Sequence, residues 1–534
     1  MRGARVNWRS GLGALVVAAL ALGGAQAAWV WHPDAGWIDT EAAPASSAEG
    51  MFAWAVGLQM QGNLHSALDL LERLRSYPMS GDLRLKVAFH ESECLLGLGR
   101  AREAARAARA ATKGPLSEEW AGRFLGLEVD AGLQLLREDS DAGRAVLADA
   151  LSKKPPLSTA IRALLALGRQ SILDRRWDEA KAFYEEAARA GAVGADLDAA
   201  VMGKGWSCLL ACCDGPVDKT RIEQAIDAFR EVAGRARQDD PVGDLARECS
   251  WAAQSLQLES SATRRAVFAA IARFLWGDRE QTYPVIKDAA GTFHGTSVGE
   301  AARFFAAEYW LGKEEYYKAY EYYEELMEEY SGTLRVQQVA AREFMIGKKL
   351  MVIPQGFRWK SWRLARAAEV LGKVIEHNPS GRFADEAQLL IGDCHFETGA
   401  YDEAYDAYQA VIEDYPQSKW APMAQFKSGL ARFRQAELTE DKGEILLQCS
   451  RALEVYLRSS PTGVLAGEAR DMLGRVRSRE AALQWNIAKL YERTDKPRAA
   501  AFVLEQLTRD YSDTAWAPLA RERLQAYAAK GYVE

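Results

Sequence analysis

The residues in this chain best suited to metal ligation or nucleophilic attack are seven cysteines and six histidines. The cysteines are Cys94, Cys208, Cys212, Cys213, Cys249, Cys394 and Cys449, and the histidines are His32, His65, His90, His294, His377 and His395. The run CLLACC (208–213) sets Cys208 and Cys212 one helical turn apart, where two thiolates could share an ion. The other reading of the run is small buried hydrophobes. Cys394 and His395 are adjacent, so on a helix they point to different faces and cannot close on one ion. An oxidising compartment could pair some thiols, and the odd count leaves at least one unpaired within a monomer. The sequence contains no HExxH pair, no GxGxxG after a strand and no GxxxxGK[ST] loop. The glycine-rich GTFHGTSVGE (291–300) reads as a connector between helices rather than a phosphate cradle. No catalytic, cofactor-binding or metal-binding residue is expected, and no cofactor; the chain reads as a non-enzyme.

Function must then lie in surfaces, and the elements that build them are helices. The 534 residues exceed one ordinary domain, and 49% hydrophobic with 26% charged content is globular rather than disordered. Alanine is abundant, proline sparse and β-branched runs few, which favours helix over sheet. The net charge of -7 is spread without a Lys/Arg stripe, so a nucleic-acid partner is not expected.

The first 27 residues stand apart. Arg2, Arg5 and Arg9 precede the 12-residue apolar run GLGALVVAALAL (11–22), and AQA (25–27) offers small residues for cleavage before Ala28. This predicts a signal peptide over 1–27 and an exported mature chain; an uncleaved anchor is the alternative. Removing the three arginines takes the net charge from -7 to -10. No cysteine directly follows the apolar run, so no lipid-attachment site is seen, and no later stretch is apolar enough to span a bilayer. A tryptophan-containing extended lead, WVWHPDAGWIDT (29–40) within 28–49, follows.

Beyond the lead one ruler recurs. Gly392, Ala404, Tyr408, Val411 and Pro416 are spaced by 12, 4, 3 and 5 residues. The same spacing runs through Ala488, Ala500, Leu504, Leu507 and Ser512, and through Ala307, Ala319, Tyr323, Leu326 and Ser331. It recurs at Gly168, Ala180, Tyr184, Ala187 and Ala192, and at Ala55, Ala67, Leu71, Leu74 and Met79. A small residue on a first helix, a small residue at the crossing on a second, a large filler and a breaker describe an antiparallel hairpin of roughly 34 residues. Turn signals fall between the helices at QGN (61–63), LGR (98–100), DRRW (174–177), LGKEEY (311–316), TGAY (398–401) and TDKP (494–497). Degenerate hairpins at 83–112, 121–151, 197–234, 246–290, 336–378 and 421–460 bring the total to roughly eleven, with a break near 259–263.

The expected fold is all-α, a superhelical array (α-solenoid), and the hairpins resemble tetratricopeptide repeats, best at 54–78 and 389–416. The stretch IAKLY…AAAFVLEQLTRDYSDTAWAPLARERL (487–524) resembles the last repeat of the BamD-like outer-membrane assembly lipoproteins. That resemblance implies a periplasmic scaffold that works with the BamA barrel in inserting β-barrel proteins. Related repeats occur in Tol–Pal-associated cell-division coordinators, so a general envelope adaptor is the alternative. The expected organisation is a lead at 28–49, an array at 50–260, a degenerate connector at 261–298 and a BamD-like domain at 299–528.

Repeat arrays bind through the face made by their first helices. In the hairpin at 389–416 that face carries Leu389, Asp393, Phe396 and Glu397; in the next, Trp420, Met423, Lys427 and Arg434. The insertion IPQGFRWKSW (353–362) adds Arg358, Trp359 and Trp362, either as a contact loop or as aromatics packed over a groove. Gly392, Ala404, Tyr408, Pro416, Ala488 and Ala500 are assigned to repeat packing. The acidic, tyrosine-rich run 313–330 is either a binding surface or a second-helix packing face. Expected partners are other proteins, as extended segments or helices, outer-membrane assembly machinery among them, with peripheral attachment to the outer membrane.

Overall fold

The computed structural model describes residues 29–39, 47–237, 240–352, 360–439 and 443–530. The signal assigned to 1–27, and Arg358 and Trp359 in the inserted loop, lie outside the described residues. Two short strands, β1 (Trp29–His32) and β2 (Gly36–Asp39), pair antiparallel with Trp31 opposite Trp37, so the lead is a hairpin rather than a plain extended segment. Its Ile38 is only 2% exposed and sinks into the first helical core.

Helices follow without interruption by further strands among the described residues. The first are α1 (Ala48–Met60), α2 (Leu64–Leu74), α3 (Gly81–Gly97), α4 (Ala101–Ala111), α5 (Glu118–Glu138) and α6 (Ser140–Ser152). Next come α7 (Leu157–Leu173), α8 (Trp177–Ala190), α9 (Gly194–Asp214), α10 (Lys219–Arg235), α11 (Pro241–Leu258), α12 (Ala262–Trp276) and α13 (Arg279–Thr292). The third group is α14 (Ser297–Gly312), α15 (Tyr316–Glu329), α16 (Val336–Val352), α17 (Lys360–His377), α18 (Ala384–Thr398) and α19 (Tyr401–Asp414). The last are α20 (Ala421–Leu438), α21 (Gly443–Ser459), α22 (Ala466–Arg493), α23 (Pro497–Asp510) and α24 (Trp516–Ala528). The chain divides within α13, after Thr282, into two compact units. In each unit sequential helices pack on one another, which makes each an all-α, solenoid-type array of tetratricopeptide-like hairpins.

Local chemistry explains the element boundaries. Ser47, Ser80, Ser117, Asp139, Asp218, Asp240 and Thr296 each cap a helix start by accepting a backbone N–H. The six turn signals share one backbone device, a residue in the left-handed region. Three are glycines, Gly62, Gly99 and Gly399, and three are not: Arg175 (φ 58°), Glu314 (φ 62°) and Asp495 (φ 56°). Pro416 stands just past the end of α19, where the missing N–H costs nothing.

The ruler positions are the packing contacts. Ala404, Tyr408, Ala488 and Ala500 are all 1% exposed or less. Tyr408 lies so close over Gly392 that a Cβ there would stand 2.4 Å from its ring. Tyr184 covers Gly168 of its own hairpin and Gly203 of the following helix, at 2.8 and 2.3 Å by the same measure, so one filler serves two repeats. The 246–290 segment differs from the expected hairpin. It holds three helices, because Gly277 (φ 129°) stops α12 and α13 begins two residues later. In this region α12 packs on α9 as well as α11, with Trp206 edge-on to both Trp276 and Phe229.

Candidate partner-binding surface

In the second unit, α14, α16, α18, α20 and α22 are the first helices of successive hairpins. A polar relay repeats along them. Tyr323 and Arg342 both donate to Glu308 Oε1 at 2.7 Å. Two hairpins further, Tyr408 donates to Asp393 Oδ1 at 2.7 Å and Lys427 Nζ reaches both Asp393 oxygens at 2.6 Å. The acid-to-tyrosine spacing is 15 residues and the acid-to-cation spacing 34 in both cases, so the repeat period is written in hydrogen bonds. Burial beside Asp393 pushes the Tyr408 phenol well above its ordinary range, keeping it a donor. Lys348–Glu386 at 2.8 Å joins α16 to α18, and Arg479–Glu437 at 3.7 Å joins α22 to α20.

These contacts sort the expected binding residues. Leu389 is a correction: it is 3% exposed and packs in the core with Ala404, Tyr408 and Val411, because its helical phase points it at α19. Asp393 and Lys427 come together, but on each other. Phe396 is half-buried and edge-on to Tyr401 at 5.3 Å. Glu397 is exposed and meets Lys360 Nζ at 2.6 Å. Trp420 and Met423 are half-buried against the core of α18–α20, with Lys419 Nζ 4.9 Å from the Trp420 ring centroid. Arg434 lies at the surface, 3.2 Å from Glu437. Trp362 is 51% exposed and lies elsewhere, on the second-helix side, with Tyr317 of α15 at 6.4 Å and Arg366 at 5.7 Å. Arg366 in turn donates to Tyr317 Oη at 2.6 Å and Glu369 at 2.7 Å, leaving an exposed aromatic edge framed by charges.

The run 313–330 is a packing face. Ala319, Tyr320, Tyr323 and Leu326 are buried, while Glu321, Glu325 and Glu328 face solvent. Beneath it lies a charge cluster that sequence spacing did not reveal. His377 sits between two carboxylates, Nδ1 at 3.0 Å from Glu343 and Nε2 at 3.4 Å from Glu324, and Lys373 lies 3.1 Å from Glu324. Burial raises Glu343 to about 7 against an opposing pull from His377. Burial would lower His377, but Glu343 and Glu324 raise it overall, so the imidazolium supplies the cation. A second cluster in the first unit gathers His32 and Asp34 of the lead with His90 of α3, three residues with no signature spacing in the chain.

The cysteines divide as small buried groups. All seven are free thiols and six are buried, with burial pushing Cys94, Cys213, Cys394 and Cys449 up to about 12. Cys208 and Cys212 contact Gln224 Oε1 and the Asp218 carbonyl at 3.8 and 3.7 Å. The cleft beside them, lined by Trp177, Asp178, Lys181, Ser207, Cys208 and Arg221, has a cavity volume of about 20 Å³. That is below the roughly 300 Å³ at which small-molecule sites begin. Among the described residues no helix is long and apolar enough to cross a membrane.

Residues 357–532 match the model of the family YfiO, described as an outer membrane lipoprotein, over about a third of the chain. No curated protein matches. Among solved structures, the Cut9–Hcn1 hetero-tetramer of the APC/C is 12% identical, covering 90% of each chain at a TM-score of 0.22. The human IFIT1 dimer with PPP-AAAA is 12% identical, over 87% of this chain and 91% of that one, at 0.22. The human IFIT1 dimer with m7Gppp-AAAA is 13% identical, over 88% and 91%, at 0.23.

Proposed function

We propose that the protein is a non-enzymatic envelope scaffold that binds protein partners on the periplasmic side of the outer membrane, in the assembly of β-barrel proteins. The observation that carries this reading is the family match at 357–532, which spans α17 to α24 of the second unit. In this reading residues 299–528 form the assembly-type module, 50–260 an added array, and 261–298 the connector between them. Trp362, Phe396, Glu397, Trp420, Met423 and Arg434, with Arg358 and Trp359 of the inserted loop, form the partner-binding set. Aromatic and mixed-charge surfaces of this kind suit an extended segment or a partner helix.

Crosslinking in intact envelopes followed by purification of the tagged chain tests it. Recovery of barrel-assembly components supports the reading; recovery of cytoplasmic proteins alone overturns it. One observation favours a second reading, a general envelope adaptor of the cell-division type: the hairpins before residue 357 lie outside the family match. Depletion separates the two. Loss of outer-membrane barrels supports the first, and septation defects with barrels intact support the second.

A further inference from the structure

The amino-terminal hairpin is held to the array by polar groups whose arrangement exceeds what docking requires. His32 ends β1 and Asp34 lies in the turn that follows, and α3 presents His90 beneath them, with one ligand atom of each within 4.8 Å of the others. His90 is 2% exposed. Its Nδ1 lies 2.9 Å from Gln59 Oε1 and 3.0 Å from Glu93 Oε2. Gln59 donates its own amide to Glu93 Oε2 at 3.0 Å, which leaves Gln59 Oε1 as the acceptor facing the ring. Nδ1 therefore carries a proton, and a neutral ring has its lone pair on Nε2.

That Nε2 is buried without a hydrogen-bond partner, and it faces Asp34 Oδ2 at 3.3 Å. A lone pair opposed to a carboxylate oxygen requires positive charge between them. A second proton would draw the pair to the roughly 2.7–2.9 Å of a charge-assisted bond. Two ligands on a tetrahedral ion with bonds of about 2.0–2.2 Å stand about 3.4 Å apart, close to the spacing seen.

The surroundings have the form of a supporting shell. Glu93 on the far nitrogen of His90 is the carboxylate–histidine arrangement that orients metal-binding imidazoles. Arg123 clamps Asp34 through both oxygens, Nη1 at 3.0 Å from Oδ1 and Nη2 on Oδ2, and is itself fixed over Phe89 and Trp120. Nδ1 of His32 accepts the Asp34 amide at 3.2 Å, so it bears a lone pair, and a bound ion would replace that amide contact.

We infer that His32, Asp34 and His90 form a binding site for one divalent first-row transition-metal ion, which clips the amino-terminal hairpin onto α3. Two imidazoles and one carboxylate suit zinc and its neighbours rather than calcium or magnesium, and water completes the fourth position. Because the ligands come from the lead and from α3, binding closes the chain between them and orders the hairpin.

The test uses the mature full-length chain, stripped with a chelator and titrated with Zn²⁺ against a chromogenic competitor. Cobalt absorption reports the coordination. His32→Ala is the main variant, since its ring is partly exposed and its loss leaves the core intact. The expected result is one equivalent of zinc that His32→Ala loses. Glu93→Gln weakens it roughly 10–100-fold. Zinc also slows amide exchange in residues 29–39 of the parent but not of His32→Ala. Equal zinc stoichiometry and affinity in the parent and His32→Ala overturns the inference, because cysteines or surface groups then hold the ion. So does no binding between pH 6 and 8, which leaves a proton as the bridging charge.

Discussion

Replacing Gly392 with alanine tests the packing logic of the repeat, because two general effects pull in opposite directions. Alanine is favoured over glycine inside a helix by about 0.8–1 kcal/mol. At this position, though, a Cβ would stand 2.4, 2.6 and 3.0 Å from three ring carbons of Tyr408. Comfortable carbon contacts need about 3.5–4.0 Å. The ring cannot swing clear, since its hydroxyl is bound to Asp393 at 2.7 Å and Lys427 grips both oxygens of that carboxylate. Overpacking of this kind costs roughly 2–3 kcal/mol, the upper part of its usual range. The net expectation is destabilisation by about 1–2 kcal/mol. Gly474, exposed in α22 with no atom within 4 Å of a Cβ, supplies the control. Gly474→Ala should stabilise by up to about 1 kcal/mol. Because repeat arrays need not unfold in one step, urea midpoints should be read with hydrogen exchange in α18 and α19. If Gly392→Ala stabilises as Gly474→Ala does, the close approach of Tyr408 is not what sets the hairpin spacing.

At the turn between α14 and α15, Glu314→Gly should raise stability by about 0.5–1 kcal/mol, since a side chain in the left-handed region costs about 1–2 kcal/mol and glycine's added unfolded freedom offsets part of the gain; an unchanged urea midpoint would refute it. For Glu343 the sign follows from a folded pKa of about 7 against an ordinary 4.5. The buried acid keeps its proton where the unfolded chain loses it, so its contribution is full below about pH 4.5 and falls as pH rises toward 7, by at most about 3 kcal/mol. His377, raised above 6.5, loses its share in the same direction on the alkaline side, while Glu324 and Tyr320 of α15 and Lys373 and Glu376 of α17 face the pair. Glu343→Gln should flatten the fall in urea midpoint between pH 5 and 8 relative to the parent, and an unaltered slope would count against the buried pair. Trp362→Ala should change stability by less than about 1 kcal/mol yet weaken capture of the crosslinked partner by about 2 kcal/mol, the cost of a binding anchor; undiminished recovery would remove Trp362 from the interface.

The hairpins were legible because their signal is local. Ala404 and Tyr408 are buried, Gly392 lies under the Tyr408 ring, Pro416 follows the end of α19, and each turn signal contains a left-handed residue. Arg175, Glu314 and Asp495 are visible only as positions, since their side chains do not favour that backbone. The amino-terminal strands escaped because each has four residues, too few for a period-2 pattern to separate from a helical one. Leu389 was misplaced because phase within one helix does not say which side a neighbouring helix covers. The two histidine clusters were not legible at all. His32 meets His90, and Glu324 and Glu343 meet His377, through tertiary packing that no motif spacing records.

The relay along the first helices narrows what a partner can recognise. Glu308 and Asp393 each receive a tyrosine from their own hairpin and a cation from the next, so these charges are spent on joining repeats. Removing a ligand-facing role from Asp393 and Lys427 takes little affinity from a partner, because their mutual pairing would have to be broken first and a half-buried acid left exposed. What remains accessible is of another kind: the Trp362 edge beside Arg366, the half-buried rings of Phe396 and Trp420, and the surface charges of Glu397 and Arg434. In the proposed reading, recognition on this unit rests on aromatic area with charges at its margin, and the acid–tyrosine–cation ladder serves to hold that area in register.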